Sequence, residues 1–270
     1  MKKTMVLMVG LMVLFMAGSA SAHFQMIYTP DAALTQGGKI PLKLVFTHPF
    51  EAGHTMDMGK PEKFFVVRSR GESKPEKIDL LKDLKPISWA SLTNSGKAWE
   101  AEYGARGGDH IFCLIPEPYF EKEEESYIQQ HTKVIINVGG EPGAWQEPVG
   151  LPVEIVPLDK PYDRWTSNVF RGKVLRNGKS VPGAEIEIEY LNHTPLLDNN
   201  AFAKEAAVKA PQGAFKVQTI FADANGVFTF GIPRAGWWGF AALDLDPNYK
   251  YKGKKCSRDA VIWIKAVDMK

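Results

Sequence analysis

The sequence lacks most of the features that mark a catalytic or a nucleic-acid-binding protein. It has only two cysteines, Cys113 and Cys256, and no CxxC spacing that would indicate a redox or zinc motif. The formal net charge is only +2, and Lys2 and Lys3 account for it, so there is no general attraction to nucleic acid. No nucleophile elbow, P-loop, HExxH motif or dinucleotide fingerprint occurs. These absences exclude the enzyme classes that such motifs identify.

Long hydrophobic runs are also scarce, and the longest lies at the start of the chain. Two lysines precede an uncharged apolar stretch from Met5 to Ala17, which is too short to span a bilayer as a helix. Small residues follow, with Ala20 and Ala22 as the A-x-A pair of a signal-peptidase site. The pattern predicts a signal peptide over residues 1–22 and a periplasmic protein that begins at His23. We expect no membrane insertion of the mature chain and no nucleic-acid partner.

Short strand patterns dominate the rest of the sequence. Ile40 to Phe46 alternates apolar and other residues with the period of a half-buried strand, and similar runs recur between clusters of Pro, Gly, Asn and Asp. The exception is Lys204 to Ala210, which predicts a short helix. We therefore expect an all-β fold with two consecutive antiparallel β-sandwich domains, Ig-like or transthyretin-like. The predicted domains are residues 23–157 and 168–270, joined by a linker at 158–167 where two prolines interrupt the pattern.

The two cysteines would lie in different predicted domains. An oxidising compartment permits a disulfide between them. The sequence leaves two alternatives open, which are one interdomain bridge between Cys113 and Cys256 or two buried free thiols.

Cleavage after residue 22 would expose a metal chelator. An N-terminal His23 offers two nitrogen donors, the α-amino group and ring Nδ1, which together close a chelate ring on a metal. An α-amino group ordinarily has a pKa of about 7.7–8.0, so a metal can displace its proton near neutral pH. Nitrogen donors suit copper, nickel and cobalt.

A second group of metal-binding residue types follows the strand that ends near Phe46. It lies on a predicted loop, where a rigid scaffold usually carries its functional residues. His48 and His54 are the expected partners of His23 in a metal site. Weaker candidate ligands are Met56, Asp57, Met58, His131 and His193. His110 ranks last because a strand-edge hydrogen bond explains it more simply.

Three segments carry a family resemblance: Ala22-His23-Phe24, the loop from Thr47 to Met58, and the stretch from Val169-Phe170-Arg171-Gly172 through Gly236-Trp237-Trp238-Gly239-Phe240. They resemble periplasmic components of ABC-type cobalt or nickel uptake systems, many of which are described only as a domain of unknown function. The second domain is also similar to transthyretin-like, carboxypeptidase-regulatory-like modules. The resemblance implies a non-enzymatic protein that binds Ni(II) or Co(II) at His23, His48 and His54 and serves a membrane metal-uptake transporter.

Other functions remain open. An N-terminal His beside a second imidazole is also similar to the copper site of lytic polysaccharide monooxygenases, which would make the protein an oxidative enzyme. Met56 and Met58 favour copper handling, because thioethers bind Cu(I). A structural or carbohydrate-binding sandwich without a metal is the remaining alternative.

Overall fold

Strands make up nearly all the regular structure. The computed structural model describes residues 23–269, so the predicted signal peptide lies outside the described residues. Three 3₁₀ helices of three residues each occur in this range, at Leu81–Asp83, Leu197–Asn199 and Gly213–Phe215. Within residues 23–269 no helix has the length and apolar character needed to cross a membrane.

The strands are numbered in chain order. In the first half of the chain they are β1 (Phe24–Tyr28), β2 (Ala33–Leu34), β3 (Gly38–Thr47), β4 (Lys63–Ser69), β5 (Glu76–Asp79), β6 (Lys85–Ala90), β7 (Ser95–Ala105), β8 (Gly108–Ile115), β9 (Tyr119–Glu121), β10 (Ser126–Val138) and β11 (Val153–Pro157). In the second half they are β12 (Arg164–Trp165), β13 (Val169–Arg176), β14 (Lys179–Ser180), β15 (Glu185–Tyr190), β16 (His193–Leu196), β17 (Ala201–Ala206), β18 (Val217–Phe221), β19 (Val227–Gly231), β20 (Gly236–Ala242), β21 (Lys250–Tyr251) and β22 (Lys254–Val267).

The strands form three sheets. The front sheet has the order β1-β3-β7-β6-β17-β16, and the central sheet has the order β18-β15-β20-β22-β10-β8-β4-β5 with short strands at its margins. The back sheet is β11-β13-β14, with β19 also on β13. Most neighbours are antiparallel, as expected, but β10 and β22 run parallel over eight residue pairs at the middle of the central sheet. The all-β prediction is therefore confirmed.

Both faces of the central sheet are buried, which explains why β8 is buried along its whole length. Side chains alternate between faces along a strand. Phe112 packs in the core shared with Leu42 of the front sheet. Its neighbour Ile111 packs in the core shared with Phe170 of the back sheet. The molecule is thus layered as front sheet, central sheet and back sheet, with one apolar core in each gap.

Strands from both sides of the predicted linker share the same sheets. β10 precedes residues 158–167 and β22 follows them, yet they are paired neighbours. Ala201 of β17 likewise pairs with Ala90 of β6 in the front sheet. The linker range itself contains β12, which pairs with the end of β22. The domain boundaries at residues 23–157 and 168–270 therefore stay a prediction. In the structure, strands from the two halves pair with each other in the central and front sheets.

Two local questions are decided by the structure. Cys113 and Cys256 are both free and buried, so of the two alternatives left open the thiol pair is the one found. The helix predicted for Lys204 to Ala210 is wrong, because Ala201–Ala206 forms strand β17 between β16 and β6. Pairing with neighbouring strands outweighs the weak local preference for helix.

Candidate metal centre

His23 and His48 are brought together by the register of two strands. β1 pairs antiparallel with β3, and Phe24 lies opposite Thr47. One step further along this ladder puts the residue before Phe24 opposite the residue after Thr47. The ring centroids of His23 and His48 accordingly lie 4.5 Å apart, with the ring planes at 46°. Two imidazoles predicted from the sequence therefore form one cluster.

His54 reaches the same region because the chain folds back after β3. Thr47 forms a bridge with Thr55, and the Gly53 N–H donates to the His48 carbonyl at 3.2 Å. His54 is exposed. It lines an open groove of about 1020 Å³ together with His23 and His48. The structure thus places all three predicted ligands on one groove, with His23 and His48 as the pair in ring contact.

Gln130 holds the backbone of residues 23–25. Its Nε2 donates to the His23 carbonyl at 2.7 Å, and its Oε1 accepts from the Gln25 N–H at 2.7 Å. The same Nε2 lies 3.3 Å from Oδ2 of Asp259, which fixes the orientation of the amide. A side-chain amide thus occupies the position of a strand partner for residues 23–25. These hydrogen bonds hold the backbone of residues 23–25 against β10 and keep His23 at the end of the β1–β3 ladder.

Glu121 faces the outer nitrogen of His23. Its Oε2 lies 3.5 Å from His23 Nε2, and both side chains are largely buried. Burial lowers the pKa of His23 to about 4, and His48 acts in the same direction while Glu121 opposes it. The ring is therefore neutral near pH 7. A carboxylate beside one ring nitrogen is the usual partner of a histidine whose other nitrogen binds a metal.

Aromatic rings close one side of the histidine pair. The centroid of Phe46 lies 5.6 Å from that of His23, and the centroid of Tyr119 lies 6.4 Å away. Phe46 and Tyr119 also contact each other edge to face at 5.5 Å. This apolar wall accounts for the desolvation that keeps the His23 ring neutral.

The loop between His48 and His54 is anchored by residues from the second half of the chain. Asn192 Nδ2 donates to the Phe50 carbonyl at 3.1 Å. Oε1 of Glu189 accepts from the Phe50 N–H at 2.7 Å. Glu189 is buried, and this burial raises its pKa well above the ordinary value. The loop that carries two predicted ligands therefore depends on β15 and on the residues next to it.

The groove beyond the histidines is acidic. Its wall includes Glu121, Glu123, Glu124, Glu185, Glu187, Asp244 and Asp259, with Lys255 as a basic neighbour. Burial raises the pKa of Glu187 to about 7 and also raises that of Asp259. Carboxylates around an opening increase the local concentration of cations.

The other predicted histidines lie away from this pair. His131 is buried and its Nε2 pairs with Gln129 Oε1 at 3.2 Å. It follows Gln130 along β10, so its side chain points to the other face of the central sheet. Nδ1 of His193 pairs with the Ala203 carbonyl at 2.9 Å. His110 bonds to Tyr103 and to the Arg106 carbonyl, which agrees with its low rank.

The remaining candidate ligands on the loop do not face the histidines. Met56 and Met58 are 1% and 5% exposed and pack in the core next to the front sheet. Asp57 Oδ1 accepts from the Lys97 N–H at 2.7 Å and lines a separate cavity. The thioethers that favoured copper(I) are therefore core side chains.

The donor set fits a metal only if the His23 nitrogen is a free amine. Within residues 23–269 no group of three or more His, Cys, Asp or Glu side chains is arranged to hold a metal ion. The predicted chelate needs fewer side chains, since the α-amino group and Nδ1 of His23 supply two donors and His48 a third. In the full sequence the His23 nitrogen is a peptide nitrogen, and cleavage after Ala22 would convert it to an amine.

Glu121 and Gln130 are site residues that the sequence did not reveal. Glu121 lies in an acidic run that reads as a solvated surface, and Gln130 lies within a strand pattern. Both reach His23 from elements about a hundred residues away in the chain. No local signal in the sequence identifies them, because the contacts depend on how β1, β9 and β10 meet.

Known structures resemble the chain only weakly. The D0-D1 domain of intimin is 12% identical to this chain and has a TM-score of 0.21. The aligned region covers 88% of this chain and 96% of the intimin chain. The two tandem V-type regions of VCBP3, a v-region-containing chitin binding protein, have 11% identity and a TM-score of 0.22, covering 88% and 98%. At these scores neither likeness supports an inference about this protein.

No curated protein matches the chain. A family model does match residues 20–246, and the chain belongs to that family, which is described as a domain of unknown function (DUF4198).

Proposed function

We propose that the protein, once residues 1–22 are removed, binds a divalent transition metal with His23 and His48. The α-amino group and Nδ1 of His23 would supply two nitrogens and His48 the third. The observation that carries the proposal is the ring pair at 4.5 Å, set by the β1–β3 register at the predicted N-terminus. Glu121, beside Nε2 of His23, would orient the ring and leave Nδ1 toward the metal.

The cargo that this proposal favours is Ni(II) or Co(II), and the role is metal uptake in the periplasm. Nitrogen donors suit both ions. The acidic groove beside the histidines would concentrate cations before they bind. The family resemblance adds the expectation of a membrane metal-uptake transporter as partner. His54, which is exposed on the same groove, would either contact the metal as it enters or act as an additional ligand. The transthyretin-like nature of the second half stays a prediction.

Copper is the second candidate, and one observation favours it. The three donors would all be nitrogens, and the affinity of such sites for divalent first-row metals peaks at Cu(II). Copper binding would make a copper-dependent oxidative activity the leading alternative to uptake. The burial of Met56 and Met58 argues against a thioether copper(I) site.

The test is calorimetry on protein that begins at His23, with Ni(II), Co(II), Cu(II) and Zn(II). The control protein carries one extra Ala before His23, which removes the amine donor and keeps every side chain. We expect tight binding that collapses in the control. Ni(II) or Co(II) binding at least as tight as Cu(II) binding would depart from the general order for nitrogen sites and would support uptake, whereas Cu(II) binding far above the others would favour copper. Equal and weak binding by both proteins would refute the chelate.

A further inference from the structure

A basic cavity lies between the β4–β5 hairpin of the central sheet and the β7–β8 turn, at the end of the front sheet away from the histidines. It has a volume of about 320 Å³, and its lining consists of Arg68, Arg70, Lys74, Arg106, Ser69, Ser73, Gly107 and one carboxylate, Glu76. The ten-residue strand β3 runs between the two ends, from Gly38 opposite Ala105 to the residue before His48. At about 3.3 Å per residue, the two sites are roughly 30 Å apart.

The turns that carry these cations are held tightly together. Gly108 has φ +108°, and a Cβ at this position would lie 2.2 Å from the Ser69 carbonyl oxygen. Only glycine permits this approach of the β7–β8 turn to the end of β4. The buried His110 ring bonds to the Arg106 carbonyl at 2.6 Å and to the Tyr103 hydroxyl at 3.0 Å. The backbone around the cavity is therefore fixed by contacts beneath it.

Charges in the cavity are only partly balanced. Arg68 pairs with Glu76 at 2.5 Å, and Arg70 is held by both carboxylate oxygens of Glu141. Lys74 and Arg106 have no acidic partner within residues 23–269. Two unpaired cations thus share one concave surface with two paired arginines. Lys74 and Arg106 are both exposed, so an anion from solvent can reach them.

A hydroxyl group adds to these donors. The Ser73 hydroxyl lies on the turn beside Lys74, whereas the Ser69 hydroxyl lies on the other face of β4, where its oxygen accepts from the Ala144 N–H at 2.8 Å. Arginine suits a phosphate because its planar guanidinium can donate two parallel hydrogen bonds, and lysine adds a point charge. A tetrahedral oxyanion matches these donors better than a flat apolar ligand does.

We propose that this cavity binds a phosphate group, with Arg106 and Lys74 as the principal charges and the Ser73 hydroxyl as an additional donor. The phosphate could be the free ion or the headgroup phosphate of a lipid, since the same donors recognise both. This site is separate from the histidine pair and does not depend on the metal function.

The test uses metal-stripped protein that begins at His23, titrated with inorganic phosphate by calorimetry at low ionic strength. The variant is Lys74→Ala combined with Arg106→Ala, and the matched control is Arg234→Ala, which removes an exposed arginine elsewhere. We expect saturable binding by the wild type and the control, and affinity about tenfold lower or worse in the double variant. Unchanged circular dichroism and melting temperature would show that the double variant is folded.

The source of the phosphate is tested with vesicles. Co-sedimentation with phosphatidylcholine vesicles that contain phosphatidic acid, absent with phosphatidylcholine alone and lost in the double variant, supports a lipid phosphate. Phosphate binding without vesicle binding supports the free ion. Absence of binding in both assays, or equal binding by wild type and double variant, overturns the proposal. A His48→Ala protein should behave as wild type in these assays, which separates this result from the metal site.

Discussion

His23 and His48 face each other across the β1–β3 ladder, with ring centroids 4.5 Å apart. The pair depends on Phe24 lying opposite Thr47. A one-residue slip of β1 would turn its buried side chains to the other face of the front sheet, so the core specifies the register. Folding therefore places the two imidazoles together before any metal is present. The free energy of metal binding would not have to offset the entropy lost in bringing these side chains together.

The first prediction distinguishes His48 from His54. In protein that begins at His23, His48→Ala should weaken metal binding by more than about 100-fold, because loss of a ligand exceeds the effect of losing an outer partner. His54→Ala should have a smaller effect, since His54 is exposed and is not in ring contact with His23. Calorimetry on the two variants is the measurement. Equal losses would make His54 a ligand of the same rank.

The second prediction concerns the clamp on the N-terminal residues. Gln130→Ala removes the hydrogen bonds to the His23 carbonyl and the Gln25 N–H. Each group left without a partner costs about 1–3 kcal/mol. We expect faster amide hydrogen exchange at Gln25 and weaker metal binding, with the remaining strands protected as before. If exchange at Gln25 is unchanged, another contact fixes the terminus.

The third prediction tests Glu121 as the partner of the His23 ring. Glu121 raises the pKa of His23 against the larger effect of burial. Glu121→Gln should therefore lower that pKa further and reduce metal affinity by about 10–100-fold. NMR titration of the His23 ring measures the first effect and calorimetry the second. Glu123→Gln, on the same groove wall, is the matched control: it should leave the His23 pKa unchanged and lower metal affinity by much less than Glu121→Gln.

Alternation and turn residues were enough to predict the all-β fold class. They could not predict that β10 and β22 would pair in parallel, because that contact joins segments more than a hundred residues apart. The sequence could not decide between a disulfide and two free thiols for the same reason, because Cys113 and Cys256 lie far apart in the chain. Strand order depends on long-range packing, which local periodicity does not encode.

For the candidate site, the sequence predicted the histidines that the structure places on one groove, but it did not predict the residues that contact them. The predicted signal-peptidase site and the strand before His48 are local features of the sequence, and both point to the His23–His48 pair. Glu121 and Gln130 approach from β9 and β10, where their neighbours in sequence indicate a charged surface and an ordinary strand. For Met56 and Met58 the sequence suggested metal ligands, but the structure places both thioethers in the apolar core.

The fourth prediction concerns the thiols. Burial raises the pKa of both Cys113 and Cys256 to about 12, so neither forms a reactive thiolate near neutral pH. We expect no alkylation of the native protein and two modified cysteines after denaturation without reductant. Mass spectrometry gives the count directly. Absence of alkylation after denaturation would instead indicate a disulfide.

The fifth prediction is the acid sensitivity caused by His131. Burial lowers its pKa to about 3, and its Nδ1 has no hydrogen-bond partner among residues 23–269. The unfolded chain, with a histidine pKa of about 6.5, binds the proton more readily, so the free energy of unfolding should fall as the pH drops below about 6.5. His131 alone would contribute about 1.4 kcal/mol per pH unit in that window. His131→Gln cannot take up the proton and should reduce the slope measured by urea unfolding, while His23, whose pKa burial lowers to about 4, keeps part of it. The control His54→Gln, at an exposed position, should keep the wild-type slope. Identical slopes in wild type and His131→Gln would show that other groups cause the acid sensitivity.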